Sequence, residues 1–203
     1  MLRFGSQKPM TRNRMEAFSD GVIAIIITIM VLELRVPLGS SFSALRPIAP
    51  VFLSYVLSFI FLGIYWSNHH HLLQVVEHVS GGVLWANLHL LFWLSLTPFV
   101  TAWMGENRFA AVPVAVYGVV LLCAAIAYFI LARTLLRIHE PTSTLAIALG
   151  RDFKGKISMV IYLLAIPLAF IRTWLACLLY VAVAVMWLIP DRRIEKRIIA
   201  SEN

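Results

Sequence analysis

The chain has few charged residues and few cysteines, and it lacks the spacing of common catalytic motifs. Asp, Glu, Lys and Arg make up 13% of its 203 residues, about half the share found in soluble domains. Cys123 and Cys177 both lie inside apolar segments, where cysteine is typical of a small buried hydrophobic residue rather than a disulfide. Nucleophile-elbow, metalloprotease and phosphate-loop patterns do not occur. We therefore expect neither an enzyme nor a resident cofactor.

Apolar residues dominate the composition, at 61% of the chain. A helix needs about 20 apolar residues to cross the hydrocarbon core of a bilayer, and hydropathy finds six segments of this kind. The sequence therefore predicts an all-α integral membrane protein, in contact with the lipid bilayer, with a single six-helix domain over residues 1–203. The predicted spans are 17–37, 49–77, 83–104, 111–137, 157–172 and 174–190.

The last two spans also allow a second interpretation. The segment Ile157 to Ile171 is short, contains Pro167, and is followed almost at once by Trp174. A tight re-entrant hairpin is therefore an alternative to two full crossings.

Basic residues are unevenly distributed between the two sides of the predicted membrane. With six crossings, the N-terminus, the loop between the fourth and fifth spans, and the C-terminus share one side and hold most of the 17 Lys and Arg. The positive-inside rule then predicts a multi-pass cell-membrane protein with both termini cytoplasmic. Because these residues flank apolar segments and do not alternate with exposed aromatic residues, the net charge of +7 does not indicate nucleic-acid binding.

The first span begins with a polar cluster. Arg14, Glu16, Ser19 and Asp20 directly precede the apolar run that starts at Val22. The Ser19-Asp20 pair and the lack of a small-x-small cleavage site argue against a cleavable signal peptide. Unpartnered polar groups at membrane depth cost several kcal/mol each, so this cluster indicates a functional site whose partners lie on other helices.

An apolar stripe occupies another face of the same helix. At 100° per residue, Asp20 points about 140° away from the stripe. Ordinary helix packing or lipid contact is one interpretation of such a face, and a register rotated by one residue would put Ile26 in the place of Ile25. The stripe consists of Gly21, Ile25, Thr28, Ile29 and Leu32.

Polar side chains on the second and third spans are candidate partners for the cluster. If the spans alternate in direction, the histidines 69–71 and Asn87 lie near the level of Ser19 and Asp20. Three consecutive histidines point about 100° apart and cannot all bind one ion. His71 and His78 share a face, but hydrogen-bonded structural histidines are the favoured interpretation and no metal site is assigned.

Several of these residues together resemble a known family. Arg14-x-x-x-Phe18-Ser19-Asp20 is similar to the R-x-x-x-F-S-D signature of bacterial members of the transmembrane protein 175 family. Tyr65-Trp66-x-Asn68-His69-His70, Asn87 and Thr97-Pro98-Phe99 add to the similarity, which covers the first three spans.

The resemblance implies a channel for potassium and other monovalent cations. It implies a homotetramer whose first helices line a central pore, without a Thr-Val-Gly-Tyr-Gly filter. Ile25 would form the narrowest ring, with Thr28 one turn away and Ile29 and Leu32 further along. Potassium would be the permeant ion. The residues expected to hold the pore helix in place are Arg14, Phe18, Ser19, Asp20, Trp66, His70 and Asn87.

Two alternatives remain open from the sequence. One is a proton- or metal-coupled transporter that uses Asp20 and the histidines of the second span, and the other is a non-transporting membrane scaffold. Glu33 also has two interpretations: a ring of carboxylates at the outer entrance, or an interfacial carboxylate paired with Arg35 or Arg46.

Overall fold

The protein is an all-helical membrane protein in the computed structural model, which describes residues 11–74, 76, 78–139 and 153–188. The described helices form six segments, because two consecutive helices together make up the third. Basic residues at positions 3, 8, 151, 192, 193, 196 and 197, which entered the orientation prediction, lie outside the described residues. The helices are α1 (Arg12–Leu32), α2 (Ala49–Gln74), α3 (Gly81–Ser95), α4 (Thr97–Glu106), α5 (Ala111–Ile138), α6 (Phe153–Ile171) and α7 (Thr173–Leu188).

Five of the six segments are long and apolar enough to cross a bilayer, and the predicted all-α membrane fold is confirmed. The last helix, α7, has 16 residues, fewer than the roughly 20 of a full span. It follows α6 after the single residue Arg172 and packs against it. The end of the predicted last span, residues 189–190, lies outside the described residues.

The first helix differs from the hydropathy prediction at both ends. It begins at Arg12 and ends at Leu32, whereas the predicted span was 17–37. The polar first turn is helical but too hydrophilic for a hydropathy window to include. At the other end, Pro37 disfavours helical backbone at the residue before it, and the chain leaves the helix through Glu33.

The third membrane segment is interrupted at Leu96, between α3 and α4. Pro98 stands in the first turn of α4, where a proline is tolerated because its missing N–H would have no partner within that helix. The backbone N–H of Leu96 bonds to the carbonyl of Trp93 in a tighter turn. This break separates α3, which carries Asn87, from α4, which packs on α2.

Two apolar cores share α5. The first lies between α1, α2, α3 and the second half of α5, and includes Ile23, Ile26 and Leu131. The second lies between α2, α4, the first half of α5, α6 and α7, and includes Tyr117, Tyr162 and Tyr180. The α1 helix therefore packs in the first core, whereas α6 and α7 build the second.

Two glycines allow close helix contacts in the bundle. A Cβ atom at Gly118 would collide with the Tyr180 side chain, whose hydroxyl donates a hydrogen bond to the carbonyl of Val114 over 3.1 Å. A Cβ atom at Gly105 would lie 2.6 Å from Cα of Val51. Small residues at helix contacts are a common means of packing membrane helices closely.

Candidate ion pathway

The predicted stripe on α1 is the exposed face of that helix. The side chains of Ile25, Ile29 and Leu32 are 59%, 41% and 80% exposed, respectively. Thr28 is also exposed, and nothing lies within 4 Å of a Cβ atom built at Gly21. The stripe that helical geometry identified is therefore not covered by the other described helices of the chain.

The opposite face of α1 is packed into the first core. Met15, Ile23, Ile26 and Met30 are at most 4% exposed, and α1 contacts α2, α3 and α4. This packing buries Ile26 inside the bundle and leaves Ile25 on its surface. The exposed face of α1 therefore carries Ile25 and not Ile26 in this structure.

A buried hydrogen-bonded chain connects α1, α3 and α2. Asn87 Nδ2 donates to Ser19 Oγ over 2.9 Å, and Asn87 Oδ1 lies 2.7 Å from His69 Nε2. Ser19 Oγ in turn donates to the carbonyl of Met15 over 2.9 Å. Asn87 donates with its amide, so its carbonyl oxygen accepts from His69, which assigns the ring proton to Nε2. The side chains of Ser19, His69 and Asn87 are at most 1% exposed. These hydrogen bonds therefore lie in the interior of the helical bundle.

A second set of bonds lies beside this chain, between α1 and α2. Trp66 Nε1 donates to Asp20 Oδ1 over 3.0 Å, and His70 Nδ1 lies 3.0 Å from Glu16 Oε1. The rings of Trp66 and His70 stack, with centroids 5.8 Å apart. Gln74 Nε2 lies 2.9 Å from the other ring nitrogen of His70. The two helices are therefore joined by two parallel polar contacts near the first turns of α1.

The structure brings together five of the seven residues predicted to hold α1: Ser19, Asp20, Trp66, His70 and Asn87. It does not bring Arg14 and Phe18 into that network. Both are exposed, and they lie within about 20° of Ile25 around the helix. Neither side chain hydrogen-bonds to another residue in the described part of the chain. They belong to the exposed face that also carries the stripe.

The remaining histidines have contacts within the protein. His71 Nδ1 lies 2.7 Å from the carbonyl of Ser67, one turn earlier in α2. His78 stacks on His139, with ring centroids 6.4 Å apart. Among the described residues, no three His, Cys, Asp or Glu side chains are grouped as metal ligands would be.

At the other end of α1, Arg35 pairs with a residue that the sequence did not indicate. Arg35 contacts Glu106 at the end of α4 over 3.1 Å, whereas the sequence suggested Glu33 as one possible partner of Arg35 or Arg46. Glu33 itself is exposed at the end of α1 and has no ion pair with any described residue. The contact between Arg35 and Glu106 therefore joins the segment after α1 to α4.

The contact between Glu16 and His70 was missed at the sequence level, although a signal for it is present. Glu16 and Asp20 are four positions apart in α1, and Trp66 and His70 are four positions apart in α2. Residues at this spacing lie one above the other on a helix. Pairing Asp20 with Trp66 therefore brings Glu16 level with His70.

Comparisons with known proteins find related sequences and a similar solved structure. A model of the family described as endosomal/lysosomal potassium channel TMEM175 matches residues 14–98. A protein named potassium channel from Chryseobacterium sp. (strain P1-3) is 56% identical over 187 residues, which are 92% of this chain and 97% of that protein.

More distant matches include a human protein and a solved structure. The human protein named endosomal/lysosomal proton channel TMEM175 is 36% identical over 89 residues, 38% of this chain and 18% of the human chain. The crystal structure of a lysosomal potassium-selective channel TMEM175 homolog from Chamaesiphon minutus superposes with a TM-score of 0.75 at 28% identity. That match covers 88% of this chain and 96% of the solved chain.

Proposed function

Because this chain belongs to the TMEM175 family, whose members are channels and not enzymes, we propose that it is a potassium-permeable cation channel of the cell membrane. Four copies assemble around a central pore, and α1 of each copy lines it. Both chain termini face the cytoplasm. The relative from Chryseobacterium, similar over nearly its whole length, carries the name potassium channel, which supports this choice of ion.

The observation that carries the proposal is an exposed stripe on a helix whose opposite face is packed. Ile25, Ile29 and Leu32 are exposed while their neighbours Ile23, Ile26 and Met30 are buried. If four α1 helices surround an axis, the exposed stripes of the four subunits together form a continuous lining of the pore. The lining is aliphatic, with one hydroxyl per subunit.

Ile25 forms the narrowest ring in the proposed pore. A ring of aliphatic side chains disfavours the entry of water. The free-energy barrier to an ion crossing this ring is therefore higher when the ion must lose more of its hydration. Sodium holds its water more tightly than potassium. A constriction of this kind therefore favours potassium without a filter of backbone carbonyls.

Thr28 provides the polar contact next to this ring. Its hydroxyl donates to the carbonyl of Ile25 over 2.9 Å, so the hydrogen is directed into the helix and the oxygen lone pairs remain available. Thr28 is exposed on the same face. Four such hydroxyl oxygens around an axis would partly replace the water that a potassium ion loses at the isoleucine ring.

The titratable side chains fix α1 in this proposal and do not form the ion path. Asp20, Glu16 and His70 are engaged in contacts between α1 and α2, on a side of the helix turned away from Ile25. This engagement favours the channel over a transporter in which Asp20 and the histidines carry protons or metal ions.

Ion flux from liposomes tests the function directly. Purified protein is reconstituted, and efflux is followed with potassium, sodium or protons as the only permeant cation. We expect potassium efflux well above that of sodium. No potassium flux at any tested voltage or pH would contradict the channel, and flux of protons alone would support the transporter instead.

A further inference from the structure

A groove lies on the outer surface of the bundle, away from α1. It has a volume of about 660 Å³ and is lined by Lys154 of α6 and by five apolar side chains of α7: Leu178, Val181, Ala182, Val185 and Met186. Three of these, Leu178, Val181 and Val185, are 43–54% exposed. Among the described residues, the groove is thus lined by apolar side chains and one cationic side chain, Lys154.

The cation stands at one end of the groove. Lys154 Nζ lies 5.9 Å from the centre of the Trp187 ring, near the end of α7, while Leu178 lies nine residues earlier in that helix. At 1.5 Å per residue this separation is about 14 Å. Half of a hydrocarbon core about 30 Å thick is about 15 Å, so the groove is as long as one leaflet is deep.

The tryptophan beside this lysine is held in place by hydrogen bonds. Trp187 Nε1 donates to Ser158 Oγ over 2.9 Å, and Ser158 Oγ donates to the carbonyl of Lys154 over 2.8 Å. The indole face is thereby directed at the lysine ammonium group, which it attracts as a cation–π contact. Tryptophan and lysine are also the side chains that mark the level of lipid headgroups.

We propose that this groove binds an anionic glycerophospholipid, with Lys154 contacting the phosphate and the α7 side chains covering an acyl chain. The charge and the shape of the groove require the same ligand: an anion attached to a long apolar tail. A soluble anion would leave the apolar part uncovered. The lipid belongs to the cytoplasmic leaflet, because Lys154 begins α6 at the end of the bundle that the positive-inside rule assigns to the cytoplasm.

Native mass spectrometry with two lipids of equal acyl chains tests the proposal. Purified protein is titrated with phosphatidylglycerol or phosphatidylcholine, and bound lipids are counted. We expect phosphatidylglycerol to be retained about fivefold more strongly, the effect of one lysine near an anionic surface. Equal retention of the two lipids would overturn the proposal, and so would displacement of the lipid by excess inorganic phosphate.

The chain offers a matched control for the lysine. Lys154→Gln and Lys156→Gln change the net charge equally and lie on the same helix, but only Lys154 lines the groove. We expect the preference for phosphatidylglycerol to disappear in Lys154→Gln, to persist in Lys156→Gln, and to return in Lys154→Arg. Equal losses in the two glutamine variants would show a general charge effect and overturn the site.

A third variant fills the groove without changing the charge. Ala182→Phe should lower the retention of both lipids severalfold while the subunit number stays the same. If this variant changes the subunit number and leaves lipid retention intact, the groove is a contact between copies and not a lipid site. The proposal does not depend on potassium permeation, because α6 and α7 belong to the second core.

Discussion

At the residue scale, Ile25 is the side chain on which the proposed ion preference depends. Replacing it with asparagine puts four amides in the narrowest ring, which then holds water more readily. We expect Ile25→Asn to raise cation flux and to lower the preference for potassium over sodium. Efflux from liposomes with each ion measures both effects.

Val31 provides the control for this substitution. It is 45% exposed on the same helix but lies about 120° around the helix from Ile25. Val31→Asn should leave the ion preference unchanged. If Ile25→Asn also leaves permeation unchanged, another ring is limiting and the proposed register of the constriction is wrong.

Asp20 is expected to act on stability and assembly more than on ion preference. Asp20→Ala removes the acceptor of the Trp66 indole N–H, and losing such a bond costs about 1–2 kcal/mol. Thermal unfolding in detergent should show a lower midpoint, with less tetramer and unchanged preference for potassium in what remains. A stable tetramer with altered preference would contradict this role.

A double-mutant cycle separates the bond from other effects of the substitution. If Asp20 acts through Trp66, then Trp66→Phe should remove most of the same stability, and the double variant should lose little more. Additive losses would mean that Asp20 acts through a different contact.

Residue roles could be predicted from the sequence only in part. The exposed stripe followed from helical periodicity, and the histidines 69–71 and Asn87 were placed near the level of Ser19 and Asp20, whereas Trp66 entered as a partner through the resemblance. The roles of the consecutive histidines could not be separated. His69 is buried, His70 is half-buried and His71 is exposed, because each points about 100° from the next and only the packing of α2 decides which one faces α3.

At the scale of helices, the contact between α5 and α7 depends on a glycine. Gly118 faces the Tyr180 ring with no room for a Cβ atom. We expect Gly118→Ala to lower the free energy of unfolding by about 1–3 kcal/mol, because overpacking a tight contact shifts its neighbours. Thermal unfolding in detergent is the measurement.

Gly63 in α2 is the matched control. A Cβ atom at Gly63 meets nothing within 4 Å, and alanine favours the helix more than glycine does. Gly63→Ala should therefore be neutral or slightly stabilising. Equal unfolding temperatures for the two variants would show that Tyr180 has room to move.

Helix ends were harder to predict than helices. Hydropathy found the apolar runs that form the described helices, since these runs dominate the sequence, but it placed the start of α1 at residue 17 instead of Arg12. The polar first turn is stabilised by contacts such as that between Arg12 and the carbonyl of Gln74, at 3.0 Å. Contacts between distant parts of the chain are not visible in a local average of hydropathy.

At the scale of the whole molecule, the proposed pore exists only in an assembly. A single subunit leaves the α1 stripe on its surface, so the mass of the detergent-solubilised complex is decisive. We expect four times the mass of one chain. A monomer that still conducts potassium would require a path within one subunit and would contradict the central pore.

The number of copies could not be derived from this sequence by physical reasoning alone. Periodicity identifies a face that is apolar on one helix, but lipid and a second copy of the chain are equally apolar partners for it. The Arg14-Phe18-Ser19-Asp20 signature suggested the tetramer through resemblance.

The uneven attachment of α1 has a mechanical consequence. Its first two turns are held by four side-chain contacts to α2 and α3, through Glu16, Ser19 and Asp20 and through Arg12. Beyond Gly21, the side chains of α1 meet the other described helices through apolar packing, and the next polar contact is the exposed Arg35–Glu106 pair after the helix ends. Such a helix is fixed near its start, so its far end can move without breaking the polar bonds of its first turns. Any widening of the proposed pore should therefore move Leu32 further from the axis than Gly21.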